Sequence, residues 1–276
     1  MTTPLFAQRL TVDEPTPESA GYGLYSAATV VDATDKRAAT GVQWESSSCG
    51  VAGAYPLNCP GDFTLPLTEG VPWVDAAPFG VAAGQQCKPV GTELERIQEL
   101  AAVRLQLSEQ YAVERAYWTG DVFPDGVDSP YLAHPDAQVL HGGTAVKPHY
   151  ALGLLEQWLG QQSGAVGVIH APRVLSVPLA GMANDSGGKL RTKLGTRLAL
   201  GTGYLGTGPG GSEPPADTAW VYATGPVQVV RTQDRLTPQN PADALDRSTN
   251  EARAHAVRIV SVGHACGLAA VLVTLT

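Results

Sequence analysis

TELERIQELAAVRLQLSEQYAVERAYWT, Thr92 to Thr119, commits the chain to an architecture. Thr92 with Glu95 three positions on makes a capping box, in which the two side chains satisfy backbone N–H groups the first turn leaves over. Gly120 stands where a helix takes its C-terminal glycine. Between these signals Leu94, Ile97, Leu100, Ala101, Leu105, Ala112, Val113, Ala116 and Tyr117 recur near the helical period. At about 1.5 Å per residue the helix runs roughly 40 Å, far beyond the usual globular helix of about 11 residues.

Almost ninety residues with no helical pattern precede it. Residues 1–45 are rich in Pro, Thr and Ala, with one apolar run around Ala27 to Val31. They read as an arm, partly strand, ordered mainly by contacts outside the molecule. Residues 46–90 hold five prolines before Lys88-Pro89 and short β-like runs at Phe63–Leu67 and Phe79–Ala83, which suggests a long extended loop or hairpin. Beyond the long helix, Pro148 opens a second one, HYALGLLEQWLGQQ, and Ala165 to His170 is strand-like. Pro172 begins a third helical piece, interrupted at Pro178. TAWVYATG and PVQVVRTQ look like paired strands turned by Gly225-Pro226, and residues 234–248 like a polar loop. Glu251–Val262 and Gly267–Leu275 are β-branched strands around Gly263. The class is α+β.

Charged residues make up only 16% of the chain, against about 25% in typical domains, which fits either a surface covered by other copies or a genome whose composition favours Ala, Gly, Thr and Val. The formal charge is −8, and residues 1–86 carry nine acids against three bases, Arg9, Lys36 and Arg37. Such a balance offers no basic face for neutralising phosphates. With no apolar run of eighteen residues, no membrane span is expected. The first residues, MTTPLFAQRLTVDEPTPE, lack the apolar core of a signal peptide, which points to synthesis and assembly in a cytoplasm. In that compartment the cysteines Cys49, Cys59, Cys87 and Cys266 are expected as thiols, although Cys49 and Cys59 flank a short loop that a bridge would close.

The chemistry-bearing residues form no constellation. Gly201 to Gly208, GTGYLGTG, has G-x-G-x-x-G spacing but runs into Pro209 and Pro214-Pro215 instead of a helix, so it reads as a mobile loop between strands, not a dinucleotide site. His141 and His149 flank a glycine-rich turn and read as solvated. His264 with Cys266 has thiol–imidazole spacing, yet a small apolar setting favours a packed thiol. His170 and Arg173 sit at a strand-to-helix junction, where His170 is expected to satisfy a backbone group and Arg173 to face solvent or a neighbour. Neither C-x-x-C nor H-E-x-x-H spacing occurs. No catalytic, cofactor-binding or metal-binding residue is therefore assigned.

The order of parts, and the segments RAYWTGD (Arg115–Asp121), GVIHAPRVLSVPLA (Gly167–Ala180), LGTRLALGTGY (Leu194–Tyr204), WVYATGPVQVVRT (Trp220–Thr232) and EARAHAVRIVSVGHACGLAAVLVTL (Glu251–Leu275), resemble the HK97-fold major capsid proteins of tailed bacteriophages, in particular those of actinobacterial phages. The resemblance implies an N-terminal arm over 1–45, an E-loop over 46–90, a peripheral domain over 91–148 and 226–276 with its spine helix at 92–119, and a mixed α/β axial domain over 149–225. It also implies a non-enzymatic subunit that assembles with itself, in hexamers and pentamers, into an icosahedral head enclosing DNA without specific contacts. Scaffold, portal or decoration proteins would be further partners, with assembly in the bacterial cytoplasm and a final location in the virion. A charged helical scaffolding segment is missing, and no local motif selects the lysine–asparagine pair that some family members crosslink. Other readings are an encapsulin-like shell, a head–tail or tail-tube protein, and an enzyme built on His170, His264 and Cys266.

Overall fold

The computed structural model describes residues 15–54, 70–88 and 94–275. Its first elements are a single helical turn, α1 (Leu24–Ala27), then β1 (Thr29–Ala33), β2 (Val42–Glu45), β3 (Trp73–Ala76) and β4 (Pro78–Cys87). The long helix α2 (Leu94–Thr119) follows, then β5 (Gln138–Val139) and α3 (Pro148–Gln162). Next come β6 (Val168–Pro172), α4 (Ser176–Ala180), β7 (Ala183–Ser186), β8 (Lys189–Thr192) and β9 (Arg197–Gly201). The chain closes with β10 (Thr218–Thr224), β11 (Val227–Thr232), β12 (Arg235–Thr237), β13 (Leu245–Asp246), β14 (Glu251–His264) and β15 (Leu268–Thr274).

The helix α2 matches its expected range over the described residues, while Thr92 of the capping box lies outside them. Its end is built as the sequence requires: Gly120 takes φ +70° and its N–H bonds to the Ala116 carbonyl at 2.9 Å. Ile97, Ala101, Leu105, Val113, Ala116 and Tyr117 are buried along one stripe. They pack on a six-stranded sheet centred on β14, which pairs antiparallel with β4 on one side and with β11, β12 and β13 in succession on the other. Ala252, Ala254 and Ala256 supply the inward face of β14, and side chains this small let the helix lie close to the strands.

The second sheet has seven strands in the order β5-β15-β10-β6-β9-β8-β7. Its central strands show no polar face, because both faces are covered. In β10, Trp220 and Tyr222 join the core under α2, while Ala219, Val221 and Ala223 join the core under α3 and α4. The same alternation holds in β15, with Ala270 and Leu272 on the first side and Ala269, Val271 and Val273 on the second. A period of two serving two interiors turns each strand into a continuous apolar run.

Three expectations need correction. The strands β10 and β11 exist as foreseen but are not paired with each other. Gly225-Pro226 carries the chain from the seven-stranded sheet to the six-stranded one, and Ala265–Gly267 carries it back beside that point, with Gly225 N–H to Ala265 O at 3.1 Å and Ala265 N–H to Pro226 O at 3.2 Å. A Cβ at Gly225 would lie 2.4 Å from the Ala265 carbonyl oxygen, so the two crossings approach as closely as only glycine permits. Second, the arm, expected to be ordered mainly by outside contacts, is anchored within the molecule over its described residues. Leu24 is fully buried in the core, and β1 adds in parallel to β11. Third, residues 78–87 of the expected loop form β4, the antiparallel neighbour of β14. The run Phe63–Leu67 lies outside the described residues. The polar loop 234–248 contains the short strands β12 and β13.

Candidate functional site

Two glutamates on α2 are almost completely buried, and each fastens a distant part of the chain to the helix. Five residues apart at about 100° each, they face different directions. One oxygen of Glu114 accepts the Leu24 N–H at 2.9 Å, and the other accepts the Gly203 N–H at 2.9 Å and the Thr202 hydroxyl at 3.5 Å. Burial raises its pKa, and these hydrogen bonds oppose the rise. The loop Gly201–Gly208 is therefore pinned rather than mobile, because a Cβ at Gly203 would stand 2.2 Å from the Tyr111 carbonyl oxygen. Of its glycines, Gly203 packs on α2, Gly201 against Tyr204, Gly206 against Ala219 and Gly208 against Trp220; no α-helix follows them among the described residues.

Glu109 faces the six-stranded sheet. It accepts the Tyr25 hydroxyl at 2.6 Å and pairs with Arg231 at 3.2 Å and with Arg258. Arg231 also reaches Asp32 of β1 at 2.7 Å and lies 5.1 Å over the Tyr25 ring. One buried carboxylate thus ties together α1, β1, β11 and β14. Two cations around one anion keep a buried charge compensated.

His170 and His264 occupy the junction of the sheets. His170 is fully buried, with Nδ1 against the Tyr204 hydroxyl at 2.9 Å and Nε2 against the Thr224 hydroxyl at 3.1 Å, so side chains satisfy it and not a backbone group. Tyr117 packs edge-on against His170 and bonds His264 Nδ1 at 2.8 Å. Desolvation holds both imidazoles below their ordinary pKa, His264 at about 4, which makes them neutral packing elements at neutral pH. Arg173 is partly exposed and donates to the Gly21 carbonyl at 3.1 Å. His141 and His149 are exposed, and His141 stacks edge-on against Tyr150. Among the described residues no three His, Cys, Asp or Glu side chains converge as metal ligands.

Cys266 is neither a packed thiol nor an imidazole partner. It is bonded to Cys49, 217 positions away, with 4.8 Å between the Cα atoms. Cys266 sits at φ +59° in the crossing from β14 to β15, outside any strand, and Cys59 lies outside the described residues. The expectation of a thiol at Cys49 fails because the folded chain brings a partner that spacing along the sequence does not reveal. Cys87 is free.

Several large apolar side chains stay in solvent. Val177 of α4 is 84% exposed, Leu194 in the β8–β9 turn 81%, and Trp73 at the start of β3 58%. The outer edge of β4 has no strand partner among the described residues. No described helix is long and apolar enough to cross a membrane. Among the described residues the geometry offers contact surfaces and internal fasteners.

No family model matches the chain, and no curated protein matches it either. Solved structures do. The capsid of a native GTA particle computed with C5 symmetry aligns over 95% of this chain and 99% of the other at TM-score 0.55 and 13% identity. A chain of Microbacterium phage Oxtober96 aligns over 97% and 96% at TM-score 0.54 and 15% identity. One of Mycobacterium phage Cain aligns over 95% and 93% at TM-score 0.53 and 13% identity. The chain shares their α+β fold, the HK97-like capsid fold, across nearly its whole length.

Proposed function

We propose that a chain with this capsid fold is the shell-forming subunit of a tailed-phage head, a structural protein that assembles with copies of itself. The observation carrying this reading is the end-to-end match, which spans at least 93% of both chains in each of the three structures compared. The buried histidines and glutamates are consistent with a structural role, since each is consumed by contacts that hold the fold together.

In this reading the front of the chain acts as the arm, residues 46–90 as the extended loop, 149–225 as the axial domain, and 91–148 with 226–276 as the peripheral domain. Strands β1 and β4 are the parts of the arm and loop that complete the peripheral sheet. Val177, Leu194, Trp73 and the β4 edge are the surfaces offered to neighbouring copies in hexamers and pentamers. Packaged DNA is enclosed rather than gripped, in keeping with a formal charge of −8. Scaffold, portal and decoration proteins are the expected partners, and the virion the final location.

Sedimentation velocity and negative-stain microscopy of the purified chain test the proposal. Capsomers or closed shells are the expected species. A uniform 28.8 kDa monomer at every concentration would refute it, and tubes of stacked rings would transfer the chain to the tail-tube class.

A further inference from the structure

The Cys49–Cys266 bond joins two segments 217 positions apart in the sequence. Cys49 lies just beyond β2, where the chain leaves the β2–β3 ladder. Cys266 lies in the crossing between the two sheets, with its Cβ 2.9 Å from where a Cβ on Gly225 would stand. The same segment touches the end of α3, since Gly50 donates its N–H to the Gln162 carbonyl at 2.9 Å. The bond therefore fixes residues 46–50 relative to both sheets.

Both cysteines are partly exposed, so a small disulfide reaches them in the folded chain. Two hydroxyls of the same short segment attend the sulfurs: Ser46 Oγ lies 2.8 Å from Cys49 Sγ, and Ser48 Oγ 3.5 Å from Cys266 Sγ. The Cα separation of 4.8 Å falls within the range a disulfide spans, so closure needs no backbone movement.

We infer that Cys49 and Cys266 form a thiol–disulfide clamp between the segment Ser46–Gly50 and the crossing between the two sheets, open while the chain is in a reducing cytoplasm and closed by a low-molecular-weight disulfide once it leaves. The timing rests on the phage-head reading, whereas the clamp itself does not. In the closing reaction one cysteine thiolate attacks the small disulfide RSSR, forming a mixed disulfide and releasing RS⁻. The second thiolate then displaces the second RS⁻. Two cysteine thiols are oxidised, RSSR is reduced, and the two protons leave with two RSH. In the open form hydrogen bonds such as Gly50 N–H to Gln162 O and Ser46 N–H to Pro72 O still hold this segment. The closed form ties it covalently to the crossing between the sheets.

The test uses the full chain, treated with oxidised glutathione or with dithiothreitol. After alkylation, non-reducing peptide mapping is expected to yield a Cys49–Cys266 crosslinked peptide only in the oxidised sample, with Cys59 and Cys87 alkylated in both. Hydrogen exchange at the Gly50 amide is expected to run roughly tenfold faster in the reduced sample. Cys49→Ser is expected to show the fast rate under both conditions, and Cys59→Ser to keep the full redox response. Should Cys49→Ser fold poorly, the alkylated reduced wild-type chain gives the same comparison. A Cys49–Cys59 peptide, quantitative alkylation of Cys49 in the oxidised sample, or equal exchange rates in both samples would overturn the clamp. Sedimentation of the same samples reads assembly separately. A redox response in a chain that never assembles would sink the head proposal alone, and assembly without a redox response would sink the clamp alone.

Discussion

Glu114 shows how much one side chain settles. Its two oxygens receive amides from residues 90 positions before it and 89 after it. Replacing it with alanine leaves the Leu24 and Gly203 N–H groups buried without acceptors, at a cost of about 3 kcal/mol, while Glu114→Gln keeps one carbonyl oxygen and is expected to lose less. Chemical denaturation of the two variants checks the order. Gly203→Ala is expected to lose a comparable amount, because the added methyl meets the α2 backbone and not a flexible side chain. Acid sensitivity resides in His264 and His170. Their pKa values are depressed in the folded chain, so the unfolded chain binds more protons below about pH 6.5. Their contribution is complete above that pH and is lost as pH falls towards about 4 for His264. Glu114, with its raised pKa, acts in the opposite sense. His264→Asn keeps an acceptor for Tyr117 and removes one titration, so its melting temperature is expected to fall less steeply between pH 6.5 and 4. A slope as steep as that of the wild type would rule this out. None of these partnerships could be read from the sequence, since the amides and hydroxyls that satisfy each buried group lie tens to more than a hundred residues away.

At the scale of elements, legibility followed locality. The signals for α2 sit within the helix itself, in its apolar spacing and terminal glycine, and α3 announces itself through Pro148 in the same way. The strands TAWVYATG and PVQVVRTQ were equally visible from composition, but the turn between them misled. Gly-Pro marks a change of direction, and nothing local states whether the chain returns to the same sheet or enters another. The short apolar run in the arm is legible in the sequence, yet its destination beside β11 depends on a strand some 200 residues on. That docking refines what a truncation does. Removing residues 1–20 is expected to leave the melting temperature nearly unchanged. Removing residues 1–33 deletes β1 and empties the Leu24 pocket, which should lower stability by at least the roughly 3 kcal/mol of a large buried side chain lost. Differential scanning calorimetry of both truncations separates the arm's part in folding from its part in assembly.

For the whole molecule, the two sheets are joined twice by adjacent crossings, at Gly225-Pro226 and at Ala265–Gly267, and α2 closes the space between them. Heating the chain is therefore expected to give one cooperative transition followed equally by probes in either sheet, and two resolved transitions would contradict that. The alternation along β10 and β15 carries this further. A wall whose successive bricks face two rooms has no outdoor side, so neither room survives the other's demolition. A fragment that keeps only one of them must leave a full row of aromatic and branched side chains bare to water. Natural variation on one side is then answerable to the other, and the polypeptide changes its shape-determining residues as a single estate or not at all.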